Sequence, residues 1–130
     1  MIDIGVNLTN KRFDKDREDV IRRAQTAQLH GLLITGTSVE ESKKALALCQ
    51  HYQTSFPDFL YSTAGVHPHD ADHVTDDYVD QLKLIAKQEQ VKAIGECGLD
   101  FNRNFSEPAQ QQKIFSEQVA VASELQMPLF

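Results

Sequence analysis

Apolar residues in this chain fall into short runs separated by longer stretches of helical spacing. Ile2 to Val6, Leu32 to Thr35, Leu60 to Val66 and Val91 to Ile94 are each brief and bounded by polar or turn residues, as buried strands are. Between them, apolar side chains recur three and four residues apart, the spacing of an amphipathic helix. The first such stripe is Val20, Ile21, Ala24 and Ala27; the second is Ala45, Leu46, Leu48, Cys49 and Tyr52. Tyr78, Val79, Leu82, Ile85 and Ala86 form a third, and Ile114, Phe115, Val119, Ala122 and Leu125 a fourth. Gly31 is expected to close the first helix, since glycine tolerates the left-handed turn that ends one. Ser38 with Glu41 has the spacing of a capping box and opens the second; Thr75 is expected to cap the third. Ser106 and Pro108 mark the start of the fourth, and Met127–Phe130 reads as a fifth strand beginning.

Strand starts thus fall near residues 2, 32, 60, 91 and 127. A strand and helix repeating on this scale predict parallel pairing with crossover helices. The fold class is α/β, built from parallel (β/α) units, and two architectures fit. One is an open doubly wound sheet that binds a small molecule. The other is the first half of a (β/α)₈ TIM barrel, whose whole form needs roughly 200 residues or more. In the second reading residues 1–130 form one truncated domain of four and a half βα units. Its final strand then lacks a neighbour, so the half-barrel is expected to pair with itself or with a missing half.

Composition narrows the chemistry. At 41% hydrophobic and 25% charged residues, the chain has the balance of an ordinary globular domain. Its formal net charge of −6 excludes the broad basic footprint that holds nucleic acid by counterion release. An anionic substrate would need local help, and a divalent metal on carboxylate and imidazole ligands supplies it. Cys49 and Cys97 are far apart and form no metal-binding pair, so free thiols in a reducing compartment are expected. The start of the chain lacks the pattern of a signal peptide, and no apolar run is long enough to span a membrane, so a cytoplasmic protein is expected.

Chemistry-bearing residues gather where the strands end. Parallel α/β folds place function at the carboxyl ends of their strands. Asn7, Thr35, His67 with His69, and Glu96 with Asp100 all stand there. Glu96 sits between Gly95 and Gly98, the arrangement that delivers a metal ligand or general base to a cleft, and equally that of a strand-end carboxylate reaching solvent. His67 precedes Pro68, which holds it extended. Arg103 is suited to clamping a phosphate, and Asp100 either ligates metal or holds the Gly98 turn.

Four segments carry a resemblance. Asp3-Ile4-Gly5-Val6-Asn7-Leu8, Leu33-Ile34-Thr35-Gly36-Thr37, Ala64-Gly65-Val66-His67-Pro68-His69 and Ala93-Ile94-Gly95-Glu96-Cys97-Gly98-Leu99-Asp100-Phe101 closely resemble the TatD family of metal-dependent deoxyribonucleases. The resemblance implies a (β/α)₈ barrel of the amidohydrolase type. It implies a divalent metal, with Mg²⁺ the usual activator and Mn²⁺ or Zn²⁺ as alternatives. It also implies 3′ to 5′ exonuclease action on single-stranded DNA ends, with RNA as a further substrate. It makes Glu96 a bridging metal ligand and, with His67, a catalytic residue, and puts His67 and His69 beside the scissile phosphate. Asn7, Arg103 and Asp100 complete the expected substrate-binding set. Many members carry His-x-His on the first strand, where this chain has Gly5 and Asn7. The family's remaining ligands, two histidines and an aspartate, would lie after Phe130, so the chain resembles an amino-terminal half.

Overall fold

The computed structural model describes all of residues 1–130 and alternates strand with helix throughout. The strands are β1 (Ile2–Val6), β2 (Gly31–Ile34), β3 (Leu60–Ala64) and β4 (Val91–Ile94). The helices α1 (Arg17–Thr26), α2 (Val39–Tyr52) and α3 (Tyr78–Ala86) connect them, and α4 (Pro108–Leu125) follows β4. All pairings are parallel, in the order β1-β2-β3-β4.

Sequential order fixes where the helices go. Right-handed crossovers between neighbouring parallel strands all return on the same side of the sheet. The register agrees: Leu32 lies opposite Leu60, and Ala64 opposite Ile94, and all four are buried against helices. The alternate row, Ile4 beside Leu33 beside Tyr61, faces away from them. There Ile4 is 60% exposed and Lys92 lies over the Tyr61 ring. This topology excludes the doubly wound reading, which requires a reversal in strand order and helices on both faces.

The core on the helical side has two parts. Ile21 of α1 and Ala45 and Cys49 of α2 close over Leu32, Ile34 and Leu60. Leu82 and Ile85 of α3 and Ile114, Val121 and Ala122 of α4 close over Ala64, Val91 and Ile94. The strands are short because each is one buried row long, and the helices carry the rest of the apolar surface.

Several local expectations change. Gly31 does not end the first helix; it begins β2. The left-handed turn falls on Gln28 (φ 63°), with Gln28 N–H donating to Gln25 O and Leu29 N–H to Ala24 O. That is a complete Schellman closure, and its apolar residue Leu29 packs back on the core. Ser38 does cap α2, its hydroxyl accepting from Glu41 N–H at 3.1 Å. Thr75 does not cap α3: its hydroxyl donates to Asp77 Oδ1, and α3 begins at Tyr78. Met127–Phe130 forms only one bridge, Leu129 to Ile94, rather than a strand. On α4 the buried stripe is Gln111, Ile114, Gln118, Val121 and Ala122, while Val119 faces outward. No helix is long and apolar enough to cross a membrane.

Glycine lets the strand ends converge. A Cβ on Gly65 would overlap the backbone of Gly95 on the neighbouring strand. Gly95 itself has φ +146°, and a Cβ there would run into the Phe130 carbonyl. Replacing Gly65 by Ala is therefore expected to push β3 and β4 apart where His67 and Glu96 leave them. Urea denaturation of Gly65→Ala should show a loss of about 1–3 kcal/mol, the range for forced overpacking. An unchanged midpoint would show that the strand ends tolerate separation.

Candidate active site at the carboxyl mouth of the sheet

Backbone hydrogen bonds lace the strand ends together. Glu96 N–H donates to Gly36 O at 2.7 Å, and His67 N–H donates to Thr37 O at 2.8 Å. The turn after β2 therefore holds both the residue after β3 and the residue after β4. Gly36 N–H in turn donates to Thr63 Oγ1, and Ser42 Oγ of α2 accepts from Gly65 N–H. The rim is rigid because its polar backbone is paired in place.

His67 is extended (φ −64°, ψ 147°), as Pro68 requires. Its Nδ1 accepts the backbone N–H of His69 at 3.1 Å. A ring nitrogen that accepts carries no proton, so the proton of neutral His67 resides on Nε2. That Nε2 lies 3.7 Å from Glu96 Oε1, too far for a hydrogen bond but close enough to feel its charge. Burial lowers the pKa of His67, and the carboxylates of Glu96, Asp70 and Asp100 only partly offset this. The imidazole is therefore neutral at pH 7 and presents a donor to the mouth. Glu96 is half-exposed beside it and spends neither oxygen on a hydrogen bond within the chain.

His69 belongs to a second group. Its ring meets the His67 ring edge-on with centroids 4.2 Å apart. Its Nε2 pairs with Asp100 Oδ2 at 2.7 Å, and Arg103 Nε lies 3.1 Å from the same oxygen. Asp100 Oδ1 accepts Arg103 N–H. Asp100 thus spends both oxygens on His69 and Arg103, and the hydrogen bond from His69 pulls its pKa down to about 2. Neither oxygen reaches the Gly98 turn: they hold the His69 ring and the loop that leads to Arg103. Asn7 stands exposed at the exit of β1, and no hydrogen bond joins it to the histidines or Glu96. The structure therefore brings His67, His69, Glu96, Asp100 and Arg103 together and leaves Asn7 on the far side of the rim.

Buried glutamines hold this group, a role that apolar spacing alone does not predict. Gln118 is fully buried; its Oε1 accepts Val66 N–H at 2.8 Å and its Nε2 donates to Val66 O at 3.0 Å. The amide replaces a missing strand partner for the residue just before His67. Gln111, also buried, does the same for Asp100, accepting its N–H and donating to its carbonyl, and donates to Ser106 O as well. The available signal was two glutamines seven residues apart, in phase with Ile114 and Val121 on the apolar stripe of α4.

The remaining nucleophiles are inert. Burial pushes the Cys49 thiol up to about 12, and burial with the Glu96 charge pushes Cys97 to about 11, so both are protonated. No three His, Cys, Asp or Glu side chains converge in a metal-binding arrangement.

Comparison with known proteins follows the same residues. The sequence model described as TatD related DNase matches residues 2–130. The chain is 57% identical over its whole length to the 3′-5′ ssDNA/RNA exonuclease TatD of Dickeya dadantii, covering 48% of that protein. It is 50% identical to the protein of the same name from Salmonella typhimurium, again over 48% of its length. The chain spans about half the length of the curated relatives it matches. Among solved structures, a hydrolase TatD family protein from Entamoeba histolytica superposes on the whole chain with a TM-score of 0.91 at 30% identity, using 48% of its own length. The TatD homologue YJJV from Escherichia coli K12 superposes on 99% of the chain with a TM-score of 0.84 at 29% identity, using 49% of its length.

Two outcomes follow from this geometry. Gln118→Leu leaves the Val66 N–H and C=O buried without partners, which should cost roughly 2–4 kcal/mol in urea denaturation; a loss below about half a kcal/mol would assign the amide no such role. Asp100 has a depressed folded pKa, so its contribution is present above the ordinary value of 3.8 and is lost as pH falls toward about 2. An NMR titration of the Asp100 carboxyl should therefore find its midpoint near 2, and Arg103→Ala with His69→Ala should return it toward 3.8.

Proposed function

We propose, starting from the fact that this chain belongs to the TatD-related DNase family, that it supplies the amino-terminal half of a metal-dependent 3′ to 5′ exonuclease acting on single-stranded DNA or RNA. The observation that carries this is the juxtaposition of His67 and Glu96 at one mouth, each held by the same β2 turn. The names of the exonuclease relatives support this substrate class, and the mouth carries residues suited to it.

A divalent cation is the expected activator, Mg²⁺ first, with Mn²⁺ or Zn²⁺ as alternatives. Glu96, a carboxylate with unspent acceptor capacity, suits one ligand position. One carboxylate and one imidazole fall well short of octahedral coordination, so these residues contribute to a site without completing one.

The chain's own residues have separate roles in phosphodiester hydrolysis. Glu96, whose oxygens make no hydrogen bond within the chain, accepts the proton of the attacking water or holds that water in line. His67 offers Nε2–H to a non-bridging phosphate oxygen, where negative charge grows as water adds. Its neutrality suits that task, since a neutral imidazole donates its single N–H without giving that proton up to Glu96. Arg103, mostly exposed, adds a positive charge at the rim for a neighbouring phosphate. His69 and Asp100 orient Arg103 and the His67 ring.

A chimera tests this reading. Replacing the matching segment of the Dickeya dadantii relative by this chain should retain metal-dependent, EDTA-sensitive shortening of labelled single-stranded oligonucleotides from the 3′ end. Glu96→Ala in the chimera should lower the rate by about 100-fold or more, the scale of removing one group that stabilises the reacting phosphate. Undiminished cleavage by that variant, or none by the parent chimera, would overturn the assignment.

A further inference from the structure

We infer that the loop from Asp100 to Ser106 is a stacking platform that takes unpaired nucleobases through Phe101 and Phe105. The inference rests on the nuclease reading above and names the part of the substrate this loop recognises.

The loop is built to display rather than to bury. Gln111 clasps both of its ends, donating to the carbonyls of Asp100 and Ser106 and accepting Asp100 N–H. Ser106 is further tied to the loop after β3, donating to His69 O and accepting Asp72 N–H. Arg103 N–H is held by Asp100. Between these fixed ends the phenylalanines point outward, Phe101 49% and Phe105 65% exposed. Large rings on a well-pinned loop are unfavourable in water unless something covers them. The pinning removes the alternative of folding them inward.

Three neighbouring features identify the occupant. Phe105 touches the His69 ring edge-on at 4.7 Å, so a base resting on it lies one side chain away from His67 and Glu96. Arg103, exposed between the two rings in sequence, offers a cation to the phosphate joining stacked nucleotides. The net charge of −6 makes long-range attraction of a polyanion unfavourable, so affinity must come from short-range contact. Base-on-aromatic stacking provides it, with a factor of roughly 5 to 150 per base, and accepts any base. Bases within a duplex are already stacked and cannot offer their faces, so the platform selects single strands.

The 130-residue chain carries the test. It contains no tryptophan, so Phe105→Trp introduces the only indole, and the exposed position leaves folding unchanged. Titration in chelating buffer compares a short oligothymidylate with the same sugar-phosphate backbone lacking bases. Stacking predicts quenching of the indole by oligothymidylate and none by the abasic strand. Anisotropy with the parent chain should show tighter binding of oligothymidylate than of the abasic strand. Phe105→Ala should weaken oligothymidylate binding roughly 5-fold or more while leaving abasic binding and the melting temperature as they were. Equal binding of the two strands by the parent chain overturns the platform while leaving a nucleic-acid-binding chain. Equal losses on both strands for Phe105→Ala do the same, because the ring then acts on the fold or the backbone. Failure of the parent chain to bind either strand overturns the platform, while cleavage by the chimera decides the nuclease reading separately.

Discussion

The β2 turn holds the mouth of the sheet together. Parallel strands leave their carboxyl ends with unpaired backbone groups, and a buried unpaired group is costly. Here Gly36 O and Thr37 O accept the N–H groups of Glu96 and His67. Two residues from different strands are thereby fixed against one turn, and the separation of their side chains follows from that. The close approach depends on small residues: Gly65 and Gly95 have no room for a Cβ. The functional geometry is therefore a consequence of backbone satisfaction, with the side chains carried along.

The same economy explains the buried polar side chains. Val66 and Asp100 lie beyond the ends of regular strands, where ladder partners have run out. Gln118 and Gln111 reach from α4 to provide them, each amide offering one acceptor and donors on a single planar group. A helix on the outer layer thus positions residues at the mouth. This links packing of α4 on the sheet to the placement of His67 on one side and of the aromatic loop on the other.

Electrostatics divides the mouth into two neighbourhoods. Around His67, burial outweighs nearby carboxylates and keeps a neutral donor next to an unpaired carboxylate. Around Asp100, a carboxylate is locked to His69 and Arg103 and stays ionised into strong acid. The first arrangement leaves capacity unspent and is suited to chemistry. The second spends its capacity internally and is suited to holding a loop. The sheet face away from the helices stays bare, consistent with the half-length match to TatD-family structures.

Repeating strands and helices, the parallel class and the gathering of polar residues at strand ends could all be read from apolar spacing, because burial of one face imposes that period whatever the partner. The segments around His67 and Glu96 also carried the family likeness directly. What spacing could not decide was strand order, since open and closed α/β sheets bury the same rows; only the β1-β2-β3-β4 pairing settled it. Local ends depart from the spacing for a related reason. Gln28 rather than Gly31 turns out of α1 because Leu29 finds a place in the core, and Thr75 is taken by Asp77. The roles of Gln111, Gln118 and Asp100 depend on residues dozens of positions away or on a loop's exact closure. A polar side chain in an apolar stripe announces only that it needs a partner, and which backbone group answers is decided when the helix docks.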